Sequence, residues 1–207
     1  MTIRKGEQWG ETVESPSDLH VAPDDAAARE WVVRHRNAAH DVGQHGTQLG
    51  LGAGDLARTM GGGRPGRFPG TVTRACVDLL RVTAGDDTTW AVAHVVARRS
   101  WWTGEVLLAM NAQFLGPYDV APRSHPNDGR VDVVRVDSAM SWRARAHARS
   151  RARTGSHLPH PQLHATSGPT HRAEFSRPLV VWVDGVRWRT ASTIDITVEP
   201  DALFVYA

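Results

Sequence analysis

The spacing of apolar residues changes twice along the chain. Residues 1–22 are polar and interrupted by Pro16, with Trp9 as their single aromatic ring other than His20; they predict an extended arm pinned by that tryptophan. From Asp24, Ala26, Ala27, Ala28, Trp31, Val32 and Val33 give helical periodicity, and Pro23, Asp24 and Asp25 supply start signals. A helix is predicted from there to about Asn37. Residues 40–70 are rich in glycine, from Gly43 and Gly46 through Gly50, Gly52 and Gly54 to Gly61, Gly62, Gly63, Gly66 and Gly70. A short helix over Asp55 to Met60 fits between the two clusters, with Asp55 favouring its start and Gly61 its end. The boundary between an N-terminal layer, residues 1–60, and the main domain, residues 61–207, is expected here.

From Thr71 the pattern becomes β. Thr71–Val82, Thr89–Arg98 and Val106–Phe114 are rich in Val, Leu, Ala and Trp, with Gly85-Asp86-Asp87 and Thr103-Gly104 as turns. Arg130–Val136 alternates. Ser138–Arg153 reads as one helix, with Ser138 as N-cap and Gly155 as its end. After a proline-rich loop, short strands follow at His171–Phe175, Leu179–Val183, Val186–Trp188, Thr193–Val198 and Leu203–Tyr206. The expected class is mainly β (α+β), a sandwich or barrel with one inserted helix.

A chain of 207 residues, 41% hydrophobic and 22% charged, can bury its own core. Cys76 is the only cysteine, so no intrachain disulfide is available and a reducing, cytoplasmic setting is expected. The N-terminus has no apolar segment of the kind a secretory signal requires. Apolar runs such as Val106–Met110 are far too short to span a bilayer. The net charge is +2 and Lys5 is the only lysine, so arginine supplies the basic character. Genomic base composition accounts for that bias; phosphate recognition by guanidinium forks is the functional alternative. The charge does not call for a nucleic-acid partner.

Gly50-Leu51-Gly52-Ala53-Gly54-Asp55 could cradle phosphate with its backbone amides, but it has no P-loop lysine and no convincing preceding strand. The segment Asn111–Val133 is more informative. Its Asn127-Asp128-Gly129 turn holds a carboxylate at a loop tip, either as a local cap or as a general base or metal ligand.

Several of these segments, in order, resemble the diacylglycerol and sphingosine kinase superfamily of lipid kinases. Val120-Ala121-Pro122-Arg123 through Asn127-Asp128-Gly129-Arg130-Val131-Asp132-Val133 is similar to its "APxAxxDDGxLDV" stretch. Gly155–Pro161 with its histidines, Val183-Asp184-Gly185 and Pro200-Asp201-Ala202-Leu203 follow in the family's order. Upstream, Gly52-Ala53-Gly54-Asp55-Leu56-Ala57-Arg58 is similar to "GTGNDxAR". The resemblance covers about residues 50–207 and implies the family's C-terminal β-sandwich, preceded by a short α-containing layer left from the edge of a nucleotide domain. It implies Asp128 as candidate base, and Gly52, Gly54, Asp55, Arg58, Asn111, Arg123 and Asn127 as ligand- or phosphate-binding residues.

The departures are as informative. No "GGDGT" phosphate loop precedes Gly50, and His45-Gly46-Thr47 is no substitute. The first carboxylate of "DDG" is the amide Asn127, and the glutamate of "VDGE" is Val186. Phosphoryl transfer needs a positioned nucleotide, magnesium and a base. No cofactor is firmly implied; ATP and magnesium enter only if the chain is a kinase.

Arg145, Arg149 and Arg153 recur at i, i+4 and i+8 on the expected helix. They form either a solvated face or an anionic-surface contact for lipid headgroups. His157, His160 and His164 are interrupted by Pro159 and Pro161, and no metal site is assigned to them. In Trp101-Trp102, adjacent strand residues face opposite ways, so one ring is expected outside.

Two functions from different classes follow. One is a non-catalytic domain that binds a lipid, another anionic ligand or a protein, peripheral to a membrane. The other is a minimal lipid kinase whose nucleotide site is completed by another chain. Open sandwich edges admit a homodimer.

Overall fold

The computed structural model describes residues 9–38, 48–63 and 66–207; Gly43 and His45-Gly46-Thr47 lie outside them. The N-terminal elements are β1 (Glu11–Glu14), β2 (Val21–Ala22), α1 (Asp25–Ala38), β3 (Gln48–Leu51) and α2 (Asp55–Thr59). Then come β4 (Thr71–Ala84), β5 (Asp87–Ala91), β6 (His94–Arg98), β7 (Val106–Met110), β8 (Phe114–Leu115), β9 (Tyr118–Asp119) and β10 (Val131–Val136). Helix α3 (Trp142–Arg151) precedes β11 (Leu163–Gly168), β12 (Thr170–Val183) and β13 (Val186–Tyr206).

One large sheet has the strand order β1-β4-β13-β12-β6-β7-β10-β11, with β5 on β4. Its pairs are antiparallel except that β3 lies parallel to β13 and β2 parallel to β3. The chain is therefore mainly β, as expected. The sheet folds around a core that includes Leu80 and Val82 of β4, Leu107 of β7, Val133 of β10, Val181 of β12 and Ile194 of β13.

Both faces of the central strands are covered, which is why their sequences are unbroken apolar runs. In β7, Leu107 and Ala109 face that core, while Val106, Leu108 and Met110 face a second cluster with Val96 and Val134. In β4, Val77 and Leu79 face a third cluster with α1 and α2, packing with Ala28, Val32, Leu56 and Ala57. The Trp9 indole donates to the Cys76 carbonyl at 3.1 Å, so the expected pin of the arm is present.

Several expected boundaries are corrected. Thr89–Arg98 is two strands, because the amides of Val92, Ala93 and His94 all donate to the Asp184 carboxylate at 2.8–2.9 Å. The five short strands after residue 170 are two long ones. Each bends at a register shift near a proline, Pro178 in β12 and Pro200 in β13, where a ladder donor is missing. Helix α3 is capped by Ser141, not Ser138: the Ser141 hydroxyl accepts from the Ala144 amide at 3.3 Å. The chain leaves the helix through a 3-10 turn at Ala152–Thr154 and ends it at Gly155 in the left-handed region, φ 66°. Strand β11 falls in the stretch expected to be loop, since its His-Ala-Thr-Ser-Gly sequence carries no apolar alternation.

Candidate functional site

Helix α3 crosses the outer face of β7 and β10 without closing onto it. Ala148 on its inward side and Ala152 at its C-cap have small side chains that leave a cavity of about 320 Å³ against Val106, Leu108, Val134 and Val136. The walls are apolar because β7 and β10 present alternate residues to this side. At the mouth stand Trp102, Tyr118 and Arg149. The Arg149 Nε donates to the Tyr118 hydroxyl at 2.6 Å, and its guanidinium lies 4.8 Å from the Tyr118 ring centroid and 5.7 Å from that of Trp102. Arg153 lies 5.7 Å from the Tyr118 ring centroid. Together these cations hold the Tyr118 phenol below its ordinary value, with the Arg149 hydrogen bond as the main cause.

Arg145 is not at the surface, which corrects the expectation for it. Only 5% of it is exposed, and its guanidinium donates to the carbonyls of Met140 and Asp137 at 2.9 Å, of Trp101 at 3.4 Å, and of Gly104. It ties α3 to the β6–β7 loop and so fixes the pocket's upper wall. Arg149 and Arg153 are exposed.

A second, polar groove of about 810 Å³ runs past Arg123, Asp128, Arg130 and His160. Asp128 is half-buried there, and burial raises its carboxyl to about 6 despite the Arg130 amide donating to it at 3.0 Å. Its turn is held from behind by Asp78, a buried acid on β4 that accepts from the amides of Gly129 at 2.7 Å and Asp201 at 2.9 Å.

The remaining expected site residues have structural partners. Asn111 is buried and donates to the carbonyls of Asp78 and Val92 at 2.9 and 2.8 Å. Asn127 donates to the Asp201 carboxylate at 3.0 Å. Arg58 donates to the Gly116 carbonyl at 2.7 Å and packs 3.8 Å from the Phe114 ring centroid. In the Gly52–Asp55 turn, the Gly52 amide donates to the Ala22 carbonyl at 2.9 Å and the Asp55 amide is taken by Asp25. The Asp25 carboxylate accepts from the Asp55 amide at 2.5 Å and from the Leu56 amide at 3.3 Å. Gly54, at φ 116°, leaves no room for a side chain: a Cβ there would sit 2.4 Å from an Asp25 oxygen. His157 donates to the Val120 carbonyl at 3.1 Å, and burial lowers its pKa. His160 instead accepts from the Gln162 amide.

Asp25 belongs to a buried cluster with Asp55, His94 and Asp184. Ligand atoms of Asp25, Asp55 and His94 lie within 4.8 Å of one another, and His94 Nε2 is 3.2 Å from the Asp55 carboxylate. Every carboxylate in it already accepts backbone amides, those of Asp55 taking Gly116 at 2.9 Å. Burial, with repulsion from Asp184, raises Asp25 to about 7. Burial opposes a charge on His94, yet the Asp55 hydrogen bond and the Asp184 carboxylate raise it overall. Asp78, His94 and Asp184 do not stand out in the sequence as site residues. The signal available for the first two is a polar residue inside an apolar strand, Val77-Asp78-Leu79 and Ala93-His94-Val95.

A sheet folded around a central core, a buried aspartate in the Val-Asp-Gly turn and an Asn-Asp-Gly turn in the polar groove are the sandwich and the turns that the sequence resemblance implied. The chain belongs to the family of the YegS C-terminal NAD kinase beta sandwich-like domain, which matches residues 79–207. Its fold is similar to that of "a putative diacylglycerol kinase from Bacillus anthracis str. Sterne" in two solved structures. One, at 10% identity and TM-score 0.63, covers 91% of this chain and 77% of that one. The other, at 11% identity and TM-score 0.64, covers 91% and 76%. A third structure, of a diacylglycerol kinase from the same strain, gives 11% identity and TM-score 0.52 over 76% of this chain and 66% of that one. No curated protein matches the sequence. No helix among the described residues is long and apolar enough to cross a membrane.

Proposed function

We propose that this domain binds an anionic lipid without phosphorylating it. The lipid's chain lies in the pocket under α3, and its headgroup lies against Arg149 and Arg153. The observation that carries this reading is an apolar cavity of about 320 Å³ with a guanidinium at its mouth. Such a site is suited to a molecule that is hydrocarbon at one end and anionic at the other. Binding without turnover is supported by the Gly52–Asp55 turn. The Asp25 carboxylate occupies the amides of Asp55 and Leu56, the helix-start donors on which a phosphate would otherwise sit.

Calorimetric titration with a short-chain phosphatidic acid, kept below its micellar concentration, tests the reading. Saturable binding is expected, abolished by Val134→Trp, which fills the cavity. A folded wild-type protein that binds none would refute it.

One observation favours a second reading. Asp128, raised to about 6 in a groove with Arg123, is poised near neutrality as a general base requires. The alternative is a lipid kinase with its nucleotide site supplied by another chain. Phosphate transfer from ATP to diacylglycerol by the purified protein, lost in Asp128→Asn, would establish it.

A further inference from the structure

We propose that the flank of α3 carrying Trp142 and Arg149, with Arg153 from the 3-10 turn that follows and Trp102 from the β6–β7 loop, is a docking surface for an anionic lipid bilayer. The inference deepens the pocket reading, on which it rests for the side of the protein that must meet the lipid.

The described residues expose three large hydrophobic side chains: Trp142 at 61%, Trp102 at 46% and Val186 at 41%. Both tryptophans lie at this end of the fold. An indole has an apolar body and one polar N–H, which suits the boundary between water and hydrocarbon. On a helix advancing about 100° per residue, position i+7 falls about 20° from position i. Trp142 and Arg149 therefore share one stripe of α3, the flank that borders the pocket mouth, and Arg153, in the 3-10 turn that follows, stands beside the same Tyr118 ring as Arg149.

The charge on this flank is of one sign. The sequence of α3, Trp-Arg-Ala-Arg-Ala-His-Ala-Arg-Ser-Arg, has no acidic residue. Among the described residues, no salt bridge involves Arg143, Arg149, Arg151 or Arg153. The nearby carboxylates have other partners: Asp119 accepts from the Gln113 side-chain Nε2 at 3.0 Å, and Asp137 from the Ala139 backbone amide at 2.8 Å. Arg143 lies 5.3 Å from the Trp142 ring centroid and adds a further cation.

The partner is identified by having to satisfy both properties. A nucleic acid or an acidic protein offers negative charge but gives two exposed indoles beside an apolar opening no hydrocarbon to enter. A bilayer with anionic headgroups offers both in the required order: charge first, hydrocarbon beneath. Docked this way, the mouth formed by Trp102, Tyr118 and Arg149 faces the headgroup layer, and a lipid chain reaches the pocket without crossing water.

Co-sedimentation with vesicles tests the proposal. Vesicles of phosphatidylglycerol mixed with phosphatidylcholine should bind the protein, and pure phosphatidylcholine should bind it far more weakly. Arg143→Gln and Arg153→Gln should each weaken partitioning about five-fold, the effect of removing one cation near an anionic leaflet. Salt at about 1 M, where the screening length falls to about 3 Å, should release most of the protein. Trp142→Ala should weaken binding while leaving the melting temperature unchanged, because the ring is exposed. Failure to sediment with anionic vesicles, equal binding to both vesicle types, or indifference to these substitutions would overturn the proposal. So would retention on RNA or heparin by a protein that ignores vesicles. Val134→Trp separates the two readings. It should abolish short-chain lipid binding and leave sedimentation intact. If wild-type protein sediments but binds no monomeric lipid, the pocket reading fails and the docking surface stands.

Discussion

Arg145 is a structural cation on a helix whose Arg149 is exposed. Replacing it with alanine removes a guanidinium that is 5% exposed and bonded to four backbone carbonyls, those of Trp101, Gly104, Asp137 and Met140. A hydrogen bond from a charged donor contributes about 1.5–3 kcal/mol, and four from one group do not add in full. Relief of the buried charge offsets part of the loss. The net expectation is a destabilisation of about 3 kcal/mol, against about 0.5 kcal/mol or less for an exposed arginine such as Arg149. For a domain of this size that corresponds to a melting point lower by about 6–12 °C. Urea unfolding followed by tryptophan fluorescence reads the difference directly. Arg145→Lys should recover only part of it, because one ammonium cannot span four carbonyls from two segments. An Arg145→Ala protein within about 1 kcal/mol of wild type would refute the strut. Loss of vesicle binding in that stable variant would return Arg145 to the surface role its sequence position suggested.

Other consequences are equally open to measurement. Asp184→Ala leaves three buried amides without an acceptor and should cost about 3–6 kcal/mol. Asp184→Asn keeps one acceptor oxygen and a side chain tolerant of φ 47°, and should cost about half as much. Urea midpoints rank the two, and equal losses would contradict the account. Asp25 is raised to about 7 from a value near 4, and His94 is raised as well, so both bind protons more tightly folded than unfolded. Their contribution is therefore complete at pH 4 and is lost as pH rises through about 7 and beyond. Asp25→Asn should flatten stability between pH 4 and 7 by about 2–4 kcal/mol; an unchanged slope would contradict this. The Asp128 carboxyl should titrate near pH 6 by carbon-detected NMR, and a midpoint near 4 would remove the case for a poised base.

Where one residue's surroundings are set by its near neighbours in sequence, the structure could be anticipated. Helix α1 starts beside Pro23 and Asp24, and α2 stops before Gly61; one ring of Trp101-Trp102 is outside, but in a loop and not through strand alternation. The lipid-kinase sandwich could be read because its turns carry specific residues, Asn127-Asp128-Gly129 and Val183-Asp184-Gly185. What the sequence could not reveal depends on long-range placement. Nothing near Val92 announces that its amide, with those of Ala93 and His94, belongs to an aspartate on a distant turn, so β5 and β6 read as one strand. The i, i+4, i+8 spacing of Arg145, Arg149 and Arg153 groups them. But α3 turns Arg145 inward beneath the β6–β7 loop, and the pocket exists because Ala148 and Ala152 are too small to fill the space that sheet placement creates. The Gly52–Asp55 turn carries no local sign that its Asp55 amide is capped by Asp25, thirty residues before Asp55.

Strand β13 lies between β4 and β12 and also carries β3, so Gln48 is paired with Phe204 and Thr83 with Asp195. During synthesis, β4 leaves the ribosome long before its central neighbour exists. One edge of that strand, with Val77 and Leu79 among its side chains, stays unpaired while most of the domain is being made. Such non-local pairing makes for slow folding and prolonged exposure of an aggregation-prone edge. The sheet therefore closes late and as a unit. A chain interrupted before Val186 would be a substrate for chaperones or proteases, not a smaller version of the same domain.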